Sequence, residues 1–127
     1  MAPIKVLLVD ADVRIQDALS FFLDVTEDLQ PIGRASNGEE ALRLCKALQP
    51  DVVLMEIELP DTDAMKLVET ICIQCPHTGI VVLTRSLAKR RDEALRAGAN
   101  RYLTKSATID AIADAIRAAA RERAMGR

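Results

Sequence analysis

Residues 51–64 read DVVLMEIELPDTDA. Four apolar residues, Val52 to Met55, run straight into Glu56 and then into a loop that contains Pro60. The apolar run reads as a strand, and the acid stands where that strand ends. What surrounds the strand, and why its end carries a carboxylate, decides how the rest of the chain is read.

On both sides of this stretch, short apolar runs alternate with longer helical patterns. IKVLLV (4–9) is a strand, β1, after which Ile15, Ala18, Leu19, Phe22 and Leu23 recur at helical spacing as α1 (15–23). LQPIGRA (29–35) is a weak strand, β2, whose Pro31 suits a sheet edge. NGEEALRLCKAL (37–48) is α2, with Asn37 placed to cap it and Glu40 three residues on in a capping-box arrangement. DVVLMEI (51–57) is β3, and residues 64–75 form α3. GIVVLT (79–84) is β4, residues 87–97 form α4, NRYLT (100–104) is β5, and residues 108 to about 122 form α5. In α5, Ile109, Ile112, Ala113, Ile116 and Ala120 share one face. Five βα units in succession imply a parallel sheet with helices on both faces, because right-handed crossovers place them there.

Composition agrees with one domain of this class. The chain has 127 residues, half of them hydrophobic and only 2% aromatic, so the core is built from Ala, Val, Leu and Ile. Seventeen basic and nineteen acidic side chains leave a net charge of −2, which gives no overall field to draw nucleic acid or an anionic membrane. The longest apolar runs are strand length, and the start MAPIKVLLVD lacks the basic flank and cleavage site of a signal peptide. A cytoplasmic protein is expected, without membrane contact and without a nucleic-acid module in this segment. Cys45, Cys72 and Cys75 are an odd set that argues against a disulfide framework. CIQC (72–75) has C-x-x-C spacing, yet it falls at the end of a helix before Pro76, where small apolar roles outweigh redox or metal ones. No Gly-rich phosphate loop, nucleophile elbow or dinucleotide fingerprint is present, and His77 lies in the loop before β4, so an enzyme is not expected.

In open α/β sheets, sites lie outside the carboxyl ends of the strands. Here β1 ends in Asp10, β3 in Glu56, β4 in Thr84 and β5 in Lys105. Any one of these alone is more often a cap or a solvated strand end. Two acids, a hydroxyl and an amine on four strands of one sheet make a candidate site.

With these residues in place, the sequence resembles a response-regulator receiver domain of two-component signalling. The resemblance runs from about Ile4 to Ala120 and leaves 121–127 as a tail or the start of a linker. Receivers carry an acidic pair after β1, a phosphate-accepting aspartate after β3, a Thr or Ser after β4 and a Lys after β5. Asp10, Thr84 and Lys105 match position by position, LPDTDA fits the β3–α3 loop, ALRAGANRYLTK is similar to the approach to the lysine, and Tyr102 falls at the aromatic switch position. The resemblance implies a flavodoxin-like, doubly wound (βα)5 fold with strand order 2-1-3-4-5. It also implies a signalling role exercised through the α4-β5-α5 face, with a histidine kinase, an output domain or a second copy of the chain as partner.

Glu56 occupies the place of the phosphoacceptor. In an ordinary receiver that carboxylate attacks a phosphohistidine, Mg²⁺ held by the acidic cluster offsets phosphoryl charge, and the lysine and hydroxyl bind the transferred oxygens. One extra methylene advances the carboxylate by about 1.5 Å or makes it fold back, and a misplacement of about 1 Å can cost on the order of 100-fold in rate. Ala11 stands where the second acid of the pair belongs, so a metal is not expected; Asp10 and Glu56 are only weak candidate ligands, and Asp12 is better placed to cap α1. Arg85 follows Thr84 where receivers keep a small residue, and its guanidinium is either an outward-pointing loop cation or a cover for the pocket through an ion pair with Glu56 or Glu58. Ala64 replaces a glycine often found early in α3. The expectation is an atypical receiver in which Glu56 holds a fixed charge near Lys105. The competing expectation is a phosphorylation-competent receiver that accepts slowly at Glu56, or at Asp61 or Asp63 instead.

Overall fold

A computed structural model describes residues 2–85 and 90–126. Five strands and five helices alternate: β1 Ile4–Val9, α1 Val13–Asp24, β2 Leu29–Ala35, α2 Gly38–Leu48, β3 Val52–Met55, α3 Ala64–Gln74, β4 Gly79–Thr84, α4 Arg91–Ala97, β5 Arg101–Thr104 and α5 Ile109–Ala124. The strands form one parallel sheet in the order β2-β1-β3-β4-β5, as the resemblance implied. The part of α4 expected at 87–89 lies outside the described residues. α5 continues to Ala124, four residues into the stretch read as tail.

The continuous apolar runs have a direct cause: both faces of the central strands are covered. Alternate residues of β1, β3 and β4 enter two separate cores, since side chains of a strand point to opposite faces. Leu7, Val9, Val53, Met55, Ile80 and Val82 pack with residues of α2 and α3. Val6, Leu8, Val52, Leu54, Val81 and Leu83 pack with Leu23 of α1 and with Ile112, Ile116 and Ala119 of α5. α5 lies so close to β4 that a Cβ at Gly79 would sit 2.8 Å from the Ala119 carbonyl oxygen.

β2 is an edge strand, which explains its tolerance of Pro31. Its pairing with β1 slips between Val6↔Pro31 and Leu7↔Gly33, leaving Ile32 as the extra residue of a bulge. Helix starts are capped by Asp12, Asn37, Asp63 and Thr108, each accepting a backbone N–H of the first turn. At α2 the Glu40 carboxylate reaches back to the Ser36 N–H at 2.8 Å, one residue earlier than a standard capping box.

Candidate functional site

The parallel register brings the ends of β1, β3, β4 and β5 to one edge of the sheet. Val9 pairs with Met55, Met55 with Val82, and Thr84 with Thr104, so the next residues of each strand converge. The backbone ladder carries on past the strands: Glu56 N–H donates to Val9 O at 2.9 Å, and Lys105 N–H to Thr84 O at 2.9 Å. Asp10, Glu56, Thr84 and Lys105 are therefore gathered in one pocket at the sheet's rim.

Glu56 is at its centre, 4% exposed. Its Oε2 accepts hydrogen bonds from the Thr84 hydroxyl and from the Ile57 and Glu58 N–H groups, the latter two at 2.7 and 3.0 Å. Its Oε1 accepts the Arg85 N–H at 3.3 Å and lies 2.9 Å from Lys105 Nζ. Lys105 Nζ also donates to Asp10 Oδ2 at 2.6 Å, so one ammonium bridges two buried acids. Burial of Glu56 raises its pKa, but the Thr84 hydroxyl, the Glu58 amide and Lys105 outweigh that and hold it below the ordinary glutamate value. A short loop with inward-turned amides thus folds around a long carboxylate, and the extra methylene is accommodated because the side chain curls back onto its own backbone.

Asp10 Oδ1 accepts the Asp12 N–H at 2.9 Å. Behind it, the buried Gln16 amide donates to Asp10 O at 2.5 Å, to Ala35 O at 3.3 Å and to Ser36 Oγ at 3.2 Å, fastening β1, β2 and α1 at the pocket floor. Sequence reasoning did not single out Gln16. Its one signal is a polar residue three and seven positions before Leu19 and Leu23, on the inward line of α1.

Of the two readings of Arg85, the outward-pointing one is nearer to what the structure places. Among the described residues its guanidinium pairs with Asp12, Nη2 to Oδ2 at 3.5 Å, and not with Glu56 or Glu58. Both oxygens of Glu56 are already engaged, whereas Asp12 stands at the α1 N-terminus, where its other oxygen caps Arg14 N–H at 2.9 Å. That cap is also the main cause of a lowered Asp12 pKa. Because β3 lies between β1 and β4, the Arg85–Asp12 pair crosses above the end of β3. The side chain itself is 63% exposed.

Tyr102 is buried on β5, and its hydroxyl pKa is raised by burial and by the charge of Glu56. Asp61 and Asp63 lie apart from Lys105, on a surface groove of about 260 Å³ shared with Gly38, Leu42 and Lys66, and Asp63 is spent on capping α3. Ala64 is the buried first residue of α3. The CIQC cysteines diverge. Cys75 turns into the core beside Cys45, whose thiol is pushed up to about 12 by burial and by Cys75, while Cys72 Sγ accepts from Arg123 Nη2 at 3.1 Å. Exposed His77 is at the opposite edge of the sheet.

Around the Asp10 and Glu56 carboxylates, Ala11 offers no side-chain oxygen, Asp12 is engaged in the helix cap and with Arg85, and the Lys105 ammonium lies between the two acids. Among the described residues no cluster of three or more His, Cys, Asp or Glu side chains is arranged for a metal, and no helix is long and apolar enough to cross a membrane.

Residues 6–117 match the family model for the response regulator receiver domain. The transcriptional regulatory protein LiaR of Bacillus subtilis (strain 168) is 37% identical over 119 residues, which are 93% of this chain and 56% of LiaR. This chain therefore spans little more than half the length of that relative, which is named a transcriptional regulatory protein. The response regulator domain of Thermotoga maritima CheB superposes with a TM-score of 0.85 at 27% identity, covering 94% of this chain and 97% of that one. A LuxR-family two-component response regulator from Aurantimonas sp. SI85-9A1 superposes with a TM-score of 0.89, covering 96% of this chain and 88% of that one; at 24% identity it speaks for the fold alone.

Proposed function

We propose that this chain, which belongs to the response regulator receiver domain family, is a receiver whose switch is biased by a permanent carboxylate and is not thrown by aspartyl phosphorylation. One observation carries the reading: Glu56 already receives the hydrogen bonds of Thr84 and three backbone amides and the ion pair of Lys105. These are the donors a transferred phosphoryl group would need. A carboxylate carries about −1, whereas a phosphoryl group carries nearly −2 with three acceptor oxygens, so the imitation is partial and the result is a shifted equilibrium. Buried Tyr102, on the strand beside Thr84, fits a molecule held toward one state.

The working surface in this reading is the α4-β5-α5 face, and the partner is a protein: an output domain, a histidine kinase or a second copy. Its setting is the cytoplasm. Neither Mg²⁺ nor another cofactor is needed, because Lys105 supplies the counter-charge between the acids.

The competing reading keeps phosphoryl transfer, slow at Glu56 or moved to Asp61 or Asp63. Incubation with a small phosphodonor and Mg²⁺, followed by intact-mass measurement, separates the two. The mass is expected to stay unchanged; a stoichiometric gain of one phosphoryl group would establish the competitor.

A further inference from the structure

The CIQC stretch brings Cys72 and Cys75 to the end of α3, and their thiols point in different directions. Cys72 is half-buried, and its Sγ accepts from Arg123 Nη2 at 3.1 Å and faces Gly98 O at 3.7 Å. Cys75, 1% exposed, turns inward to the thiol of Cys45, which lies wholly buried on the last turn of α2. The contact is held from outside. Where the chain leaves α2, Gln49 takes a left-handed φ of 49° and leads into Pro50; where it leaves α3, Cys75 leads into Pro76. Thr78 joins the two exits, its N–H donating to Cys75 O at 3.0 Å and its hydroxyl to Pro50 O at 2.8 Å. Beside the opposite ends of the same two helices, the Gly38 N–H donates to Thr62 Oγ1 at 3.1 Å. α2 and α3 are thus tied at both ends, and the two thiols are shut between them in a close-packed core.

Two thiols held in contact need only draw together to the S–S bond length of about 2.05 Å, whereas Cys72 would first have to leave Arg123. We propose that Cys45 and Cys75 are a dithiol that a hydroperoxide closes to a disulfide, locking the end of α3 to α2. With hydrogen peroxide the closure takes two steps. One sulfur, as its thiolate, takes an oxygen from the peroxide and becomes a sulfenic acid, and the departing hydroxide picks up the thiol's proton as water. The second thiol attacks the sulfenic sulfur, forms the S–S bond and releases the hydroxyl with its own proton as a second water. The two thiols have then lost two electrons and two protons, and the peroxide is reduced to water. Burial and the neighbouring thiol push Cys45 up to about 12, so at neutral pH the pair rests protonated, and closure is slow and quickens as pH rises.

Non-reducing peptide mapping of the 127-residue chain after exposure to hydrogen peroxide tests this. A peptide pair joining Cys45 to Cys75 is expected, formed faster as pH rises, absent after a reductant and retained in Cys72→Ser. Cys75→Ala leaves Cys45 unlinked, with circular dichroism to check its fold, and the map of the parent chain decides the case whatever that variant does. Because the bond closes a long loop between α2 and α3, the thermal midpoint of the oxidised parent should rise by about 5–15 °C over the reduced form. Three results would overturn the inference: a link that joins Cys72 to either of the other two cysteines; no link at all, or oxidation confined to Cys72; or a Cys45–Cys75 link that leaves the midpoint unchanged or lowers it, which marks a bond forced on the fold.

Discussion

Two charged networks stand at opposite edges of the same sheet. At the carboxyl edge, Lys105 bridges Asp10 and Glu56, and the two acids are 5% and 4% exposed. At the amino edge, Arg101 grips Glu122 with two hydrogen bonds of 3.1 and 2.6 Å, Asn100 Nδ2 donates to the same carboxylate, and Arg123 reaches Gly98 O and Cys72 Sγ. There the pair is 41% and 28% exposed. The partners and distances are alike, but the surroundings are not. Water can replace a lost partner at the amino edge and cannot at the carboxyl edge, so the amino-edge network fastens the end of α5 while the carboxyl-edge network determines whether the pocket holds together.

The comparison can be tested through stability. Lys105→Met strands two buried acids and should cost about 3–5 kcal/mol at pH 7 in chemical denaturation. A loss below about 1 kcal/mol, the worth of an exposed pair, would mean that the pocket is solvated. Glu56→Gln keeps the size but removes the charge, and should cost about 1.5–3 kcal/mol through its charge-assisted hydrogen bonds. This loss has a pH signature. Burial pushes Glu56 up, but its donors hold it below the ordinary value of 4.5, so its contribution is full above that value and fades as pH falls through the folded pKa. Stability curves of the parent and Glu56→Gln should therefore stay apart at neutral pH and converge only as pH falls below the ordinary glutamate value of 4.5; parallel curves would remove Glu56 as the titrating group. Arg101→Met, at the exposed edge, should cost about 0.5–1 kcal/mol. Smallest is Arg117→Met, which frees Asp28 and Asp114 on the surface and should shift stability by about 0.5 kcal/mol or less, with the difference erased in about 0.5 M salt.

Much of this architecture was legible in the chain itself. β1, β3 and β4 are continuous apolar runs because helices cover both their faces, and β2 announced its edge position through Pro31. The four strand-end residues could be named because strand ends in such a sheet have a fixed place in space. Side-chain competition was harder to read. The reading that set Arg85 on Glu56 or Glu58, as against an outward-pointing loop arginine, did not count the amides that already satisfy Glu56, and Asp12 was the acid left facing outward. Gln16 escaped notice because a single polar residue on an inward helix face gives no local sign of three acceptors drawn from two strand ends. The end of α5 was read at about residue 122 and lies at Ala124, and one contact of that last stretch, Arg123 to Cys72, spans 51 positions that no local pattern records.

The rim strand β2 also limits how copies of the molecule can meet. Pro31 has no N–H to offer an incoming backbone, and the extra residue at Ile32 bends the strand out of the flat geometry that stacking neighbours require. Growth of a continuous ribbon from chain to chain is therefore blocked on that flank, and crowding there leads to discrete, separable encounters between side chains instead of fibres.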